Sequence, residues 1–359
     1  MNNAVFGWLS LVGLGLLPSQ TPEPLLKSDF KTSESGWVAY GKTAKVSLAS
    51  GLKFDYAIQK GELNVLVLPA EPDSLTKAKS FRFRIKADAN TFIAVGLQEV
   101  DGGRYVATFQ VPKDTWQTVE LSPLDFSLSV EPNDPKDPDG KLDLDRVNGI
   151  AIADIGQLFY QSGDRQILNL LDVTPGAHSL VMDDFSVGTD SVPASAWKSG
   201  SDVRIDTFVH PQIAWVALGG VNLSLGTNPQ VEGRALKCAY KQAPATLAAL
   251  SRSVAAGLLD GAKSISMPFA TTQAAKLVVQ VEQTDGGKFN MPVDLAENAS
   301  RKVSLNLAEF KTAEDSKNPA AKMQPEKIKN LSIVDTTGML GGPVHDNTLW
   351  IGQIRAAKE

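Results

Sequence analysis

The sequence predicts an all-β protein built from two tandem β-sandwich domains. Three observations carry that expectation. Short segments alternate apolar and polar residues, as half-buried strands do. Glycine, proline and aspartate punctuate them at strand-length intervals. A set of sequence blocks also occurs twice, in the same order.

The repeat sets the frame. Val95-Gly-Leu-Gln-Glu-Val-Asp-Gly-Gly-Arg-Tyr105 matches Val279-Gln-Val-Glu-Gln-Thr-Asp-Gly-Gly-Lys-Phe289, at an offset of 184 residues. At that offset Val119-Glu-Leu121 matches Val303-Ser-Leu305, and Asp125-Phe126 matches Glu309-Phe310. Asp145–Asp154 matches Glu326–Asp335, and His178–Phe185 matches Asn347–Ile354, with the offset drifting between blocks. Asp29-Phe30 with Trp37 resembles Asp206-Thr-Phe208 with Trp215. Drift of that kind falls in loops, where insertions are tolerated. The expected domains are 25–188 and 203–356, joined by a small-residue linker at 189–202.

Within the first unit, Phe81-Arg-Phe-Arg-Ile-Lys86 places three apolar residues on one side and Arg82, Arg84 and Lys86 on the other. Phe92–Gln98 does the same with Ile93, Val95 and Leu97. Asp101-Gly-Gly103 is a hairpin signal, because glycine takes positive φ without steric cost. Arg104–Val111 returns. Trp116–Leu121, Val147–Ala153, Ser179–Val187, Leu52–Tyr56 and Glu62–Leu68 complete about eight short strands. Ala243–Leu259 is the best helical stretch, and even it reads equally as strand plus turn. Such a pattern is a sandwich or jelly roll.

Composition excludes several classes. With 359 residues, 43% hydrophobic and 21% charged, the chain suits two ordinary globular domains. A net charge of −5 and no basic patch argue against a nucleic-acid partner. A single cysteine, Cys238, excludes an intrachain disulfide and reads as a buried small side chain. Residues 1–20 hold the uncharged apolar run Ala4–Leu17, too short for a comfortable span and expected to be a secretory signal peptide. The alternative is a retained N-terminal anchor. Export implies a secreted or periplasmic protein.

Catalytic constellations do not stand out. The three histidines are isolated, with no H-E-x-x-H pair, G-x-S-x-G elbow or P-loop. Asp183 and Asp184 are adjacent, so in a strand they point to opposite faces. The carboxylate-rich stretch Asn133–Asp145 fails the EF-hand template. Setting Asp137, Asp139 and Gly140 at positions 3, 5 and 6 puts Pro135 and Arg146 at the first and last ligand positions. The chain reads as a non-enzyme.

The order of motifs is informative. An opening Asp29-Phe30 precedes Trp37. Then come alternating strands, a Trp116-x-x-Val-x-Leu121 strand, Gly149-Ile-Ala-Ile152, and a closing Met182-Asp-Asp-Phe185. This resembles the galactose-binding-like jelly rolls, near the carbohydrate-binding modules of the β-glucan type and the complex I intermediate-associated (CIA) domains. The resemblance implies a polysaccharide or glycan partner on the concave sheet of the first domain, and a structural calcium near the closing strand, with Asp29 and Asp183 as its candidate ligands. The second unit has Gly352 and Gln353 where the first has Asp183 and Asp184, so it is expected to be a degenerate copy.

Sugar binding needs aromatic faces for the apolar side of pyranose rings and polar groups for the hydroxyls. The residues expected to supply these are Arg82, Arg84, Gln98, Tyr105, Trp116 and Tyr160. The competing reading is a structural or protein-interaction scaffold without a sugar site, since CIA-type domains assist complex assembly.

Overall fold

A computed structural model describes residues 23–129, 137, 139–162 and 173–358. The predicted signal segment lies outside the described residues. So do most of the acidic stretch from 130 to 138 and part of the stretch 156–176.

Alternation of apolar residues builds the first unit. Its strands are β1 (Leu26–Ser28), β2 (Val38–Tyr40), β3 (Lys45–Leu48), β4 (Leu52–Ile58), β5 (Val65–Pro69) and β6 (Ser80–Ala87). They continue with β7 (Thr91–Glu99), β8 (Gly102–Val111), β9 (Gln117–Leu121), β10 (Ser127–Leu128), β11 (Val147–Asp154) and β12 (Gly176–Gly188). One sheet runs β3-β4-β12-β6-β9, with β1 also on β12. The other runs β10-β8-β7-β11-β5-β2. All their pairings are antiparallel. Phe54, Phe81, Phe83, Phe109 and Phe185 fill the space between the sheets. Each such side chain contributes roughly 1.5–3 kcal/mol by leaving water.

The second unit repeats this arrangement. Its strands are β13 (Trp197–Ser199), β14 (Asp202–Asp206), β15 (Val216–Leu218), β16 (Asn222–Asn228), β17 (Val231–Gln242), β18 (Ala248–Ser253) and β19 (Ser264–Thr271). After these come β20 (Ala275–Gln283), β21 (Lys288–Leu295), β22 (Ser300–Asn306), β23 (Lys311–Thr312), β24 (Ile328–Asp335), β25 (His345–Ile351) and β26 (Ile354–Ala357). The sheet β15-β18-β24-β20-β21-β23 is the counterpart of β2-β5-β11-β7-β8-β10, strand for strand. The register agrees as well. Phe92 faces Gln110 as Lys276 faces Asp294, and Arg82 faces Glu120 as Ser266 faces Ser304. The protein is thus all-β, with two tandem jelly-roll sandwiches. The stretch 243–259 holds β18 and a turn rather than a helix.

Both units share one buried link between their sheets. Tyr56 on β4 donates to Asp154 on β11 at 2.7 Å, and Tyr240 on β17 donates to Asp335 on β24 at 2.6 Å. They differ near the opening strand. Trp215 Nε1 donates to Asp206 Oδ2 at 2.8 Å, and Asp206 also pairs with Arg252 at 2.5 Å. In the first unit Ser28 occupies the position of Asp206, and the indole nitrogen of buried Trp37 has no hydrogen-bond partner among the described residues. Cys238 is fully buried in β17, and burial pushes its thiol well above the ordinary range.

The units touch through a short extended segment of the second. The amide of Gln110 on β8 donates to Ile213 O at 2.9 Å. The Gln212 side chain accepts from Glu120 N at 3.1 Å and donates to Glu120 O at 2.6 Å, so it completes the free edge of β9. An amide side chain reproduces the peptide hydrogen bonds that such an edge lacks.

Candidate functional site

The sequence placed Arg82, Arg84 and Gln98 on one concave face. The sheets separate them. Alternation fixes which side of a strand a residue takes, but β6 and β7 belong to opposite sheets. Arg82 and Arg84 therefore leave the sandwich on one side and Gln98 on the other.

The outer face of the β6 sheet brings together Arg82, Arg84 and Trp116. The Arg84 guanidinium lies 4.8 Å from the Trp116 ring centroid, and Lys86 Nζ lies 5.4 Å from it. Arg84 also stands 3.7 Å from Asp183 on β12. Arg82 grips Asp190 through two nitrogens at 3.0 and 2.6 Å, and lies 3.8 Å from Glu120. That fork holds the Asp190 carboxyl below the usual carboxylate range. The cations of this face are thus engaged with neighbouring carboxylates and one indole.

Tyr105 corrects a second expectation. It alternates with Ala107 and Phe109 along β8 and points into the core. Its hydroxyl donates to Asp137 at 2.6 Å. Tyr160 sits on the one α-helix among the described residues, α1 (Gly156–Ser162), half-buried against the core. Gln98 donates to Gly103 O at 2.9 Å and accepts from Arg104 at 3.3 Å. The six predicted sugar ligands therefore occupy two outer faces, the core and a helix.

The two carboxylates expected to hold calcium each stand beside a cation. Asp29 lies 3.7 Å from Lys31, and Asp183 lies 3.7 Å from Arg84. Among the described residues no three acidic, histidine or cysteine side chains converge to hold a metal ion.

A third arrangement was missed in the sequence. The outer face of the second sheet carries a continuous floor of small side chains. One row crosses five strands through Val38, Val67, Ala151, Gly96 and Val106. A neighbouring row contains Tyr40, Val65, Ala94 and Thr108. Tyr40 is 55% exposed and Val38 42%, so an aromatic ring stands at one rim. Gln98 and Thr108 supply an amide and a hydroxyl toward the other side. The signal was the alternation Trp37-Val-Ala-Tyr40: with Trp37 buried, the short strand β2 was readable from it.

A pair of carboxyl groups lies below the β7–β8 turn. Glu99 is buried and accepts from Asp143 N at 2.6 Å. Burial, then contact with Asp137, pushes its carboxyl up to about 7, while Tyr105 and the amides of Gly140 and Asp139 hold Asp137 at about 2. The two carboxyls hydrogen-bond each other. Glycosidase carboxyls stand ~5–9 Å apart around the scissile bond, and this pair leaves no such room.

No protein-family model matches the chain, and no curated protein matches it. Several solved structures are similar. A family 11 carbohydrate-binding module from Clostridium thermocellum, in complex with a β-1,3-1,4-mixed-linked tetrasaccharide, is 18% identical. The match covers 46% of this chain and 95% of that one, with a TM-score of 0.35. The N-terminal tandem CBM22 domain of Paenibacillus barcinonensis Xyn10C is 12% identical over 95% of this chain and 99% of that one, with a TM-score of 0.27. An agarase, AgWH50C, is 14% identical over 48% of this chain and 25% of that one, with a TM-score of 0.33. Carbohydrate-binding modules with jelly-roll folds are thus among the structural neighbours of this chain.

Proposed function

We propose that this chain is an exported, non-catalytic carbohydrate-binding protein that lays a polysaccharide across the outer face of the β2-β5-β11-β7-β8-β10 sheet. The observation that carries the reading is the small-residue floor with exposed Tyr40 at its rim. A flat floor lets a pyranose chain lie against several strands, and an aromatic ring offers the apolar sugar face a partner. The opposite face suits this role less, because its Trp116 ring is already attended by Arg84 and Lys86. Export rests on the apolar run Ala4–Leu17.

The test is a pull-down of the full chain on insoluble polysaccharides, together with a glycan array. Tyr40→Ala and Arg84→Ala are run beside the wild type. Loss of binding in Tyr40→Ala with retention in Arg84→Ala supports the site. Failure of the wild type to bind any polymer sinks the reading.

A second reading, an assembly scaffold without a sugar site, is favoured by a different observation. The second sandwich offers an unfilled version of the groove through which the two sandwiches join.

A further inference from the structure

The groove of the first sandwich lies between β8 and β9, and residues 209–213 fill it. Ile213 O takes the Gln110 amide at 2.9 Å. Gln212 bridges the main chain of Glu120, and Gln117 donates to Pro211 O at 3.2 Å. His210 Nε2 stands 3.0 Å from Asp125 Oδ2, beyond the end of β9.

Every one of these anchors has a counterpart on the second sandwich, 184 residues on. Gln110 corresponds to Asp294, Glu120 to Ser304, Gln117 to Arg301 and Asp125 to Glu309. There β21 and β22 flank a cleft of about 250 Å³, lined by residues 292–294 and 301–305. The short strand β23 pairs only with Phe289 and Asn290 of β21, as β10 pairs only with Tyr105 and Val106 of β8. Among the described residues no extended segment covers the edge beside Asp294, whose carbonyl accepts from the Arg301 side chain at 3.3 Å, whereas Ile213 covers the edge beside Gln110. An open edge of this kind is a template for an added extended segment.

The matching segment is also present and free of the groove. Phe208 opens the filling segment with φ of 53°, and buried Trp215 follows seven residues later. Phe30 has φ of 50°, and buried Trp37 follows at the same spacing. Residues 31–35 are thus the first unit's version of 209–213. Lys31, Thr32 and Ser33 are exposed, while Glu34 and Ser35 are half-buried, Ser35 in a turn with φ of 52° where Ile213 pairs as an extended residue.

Charge identifies the occupant. In the filled joint, Gln212 enters beside Gln117 and Thr118, and all three are neutral. In the unfilled pair the entering residue is Glu34, and the groove residues are Arg301 and Lys302. An acid has replaced the amide on one side, and two cations have replaced neutral residues on the other. Both Arg301 and Lys302 are exposed.

We propose that the groove between β21 and β22 receives residues 31–35 of a second copy of this chain, so that copies join head to tail by the joint that links the two sandwiches internally. Such a contact is heterologous: each copy uses one surface to give and another to receive, and the series stays open unless the rotation between copies closes it into a ring. Glu34 meets Arg301 and Lys302, and the main chain of 31–35 meets the edge of β21. The inference stands independently of the sugar reading.

The test is sedimentation velocity of the full chain from about 1 μM to about 1 mM, at low salt and in 0.5 M salt. The wild-type mass should rise with concentration without a dimer plateau, and less so in high salt. Glu34→Lys alone and Arg301→Glu alone should each weaken association roughly tenfold, because each sets like charges together. An equimolar mixture of these two variants should regain association, since each then meets a complementary partner. Both substitutions are at solvent-accessible charges, and circular dichroism checks that the folds are intact. A wild-type mass constant up to the highest concentration overturns the proposal. So does association that neither variant weakens, or a mixture that stays as weak as its components.

Discussion

His210 of the second sandwich and Asp125 of the first meet at 3.0 Å with both side chains buried. Asp125 also accepts from Ser122 N at 2.8 Å, Ser195 N at 2.9 Å and Ser195 Oγ at 2.8 Å. One carboxylate thus gathers a turn of the first unit, the linker and the second unit. His210 and these amides hold it below the usual carboxylate range despite its burial. Removing one partner of a buried pair typically costs about 3–5 kcal/mol. Asp125→Ala should therefore split a single thermal transition into two, read by calorimetry, as the sandwiches uncouple. The pH sign follows from the lowered value. The contribution of Asp125 is fully present above the ordinary carboxylate range and is lost as pH falls through the depressed value. Asp125→Asn should abolish that acid-side loss.

Glu99 titrates in the opposite sense. Its carboxyl is raised to about 7 in the folded chain, so the fold binds a proton that the unfolded chain releases above its ordinary range. Stability from this group is fully present below the ordinary carboxylate range and is lost as pH climbs through about 7. Urea midpoints measured from pH 5 to 8 should fall across that window for the wild type. Glu99→Gln should flatten the slope, because an amide keeps a hydrogen bond to Asp137 without a proton to lose.

The paired Tyr–Asp links offer a matched comparison. Asp154 is joined by Tyr56 at 2.7 Å, by Gly156 N at 2.7 Å and by the Thr91 hydroxyl. Asp335 is joined by Tyr240 at 2.6 Å, Gln242 at 2.6 Å and Thr337 N at 2.8 Å. A buried acceptor stripped of one donor costs roughly 1–3 kcal/mol. Tyr56→Phe and Tyr240→Phe should each destabilise by that order in chemical denaturation. The two losses should be of similar size, since Asp154 keeps the Thr91 hydroxyl as Asp335 keeps the Gln242 amide.

How much of this was legible follows from what alternation encodes. The period of two in Phe81–Lys86 and Arg104–Val111 located strands and assigned inward and outward residues, and Asp101-Gly-Gly103 located a turn. Tyr105 was readable as inward on the same ground, since it alternates with Ala107 and Phe109. Alternation does not say which sheet a strand joins. Residues 88–90 carry the chain from β6 in one sheet to β7 in the other, so Arg84 and Gln98 part company although they are only fourteen residues apart. The repeat gave the tandem architecture. It did not show that Gln212 caps β9, because that contact joins segments with no local pattern in common.

The small-residue floor makes a prediction that separates sugar binding from stability. Ala151 lies in the middle strand of its row, between Val67 and Gly96, and its side chain is half-buried on the outer face. Ala151→Lys raises a long charged side chain from the centre of the floor without touching the core between the sheets. Polysaccharide retention in affinity electrophoresis should drop at least as far as with Tyr40→Ala. Loss of one aromatic partner is worth about 0.5–1.5 kcal/mol, up to roughly tenfold in affinity. Thermal stability should stay close to the wild type, because an outward-facing substitution away from buried features usually changes it by about 0.5 kcal/mol or less. Retention unchanged in Ala151→Lys but lost in Arg84→Ala would move the site to the Trp116 face.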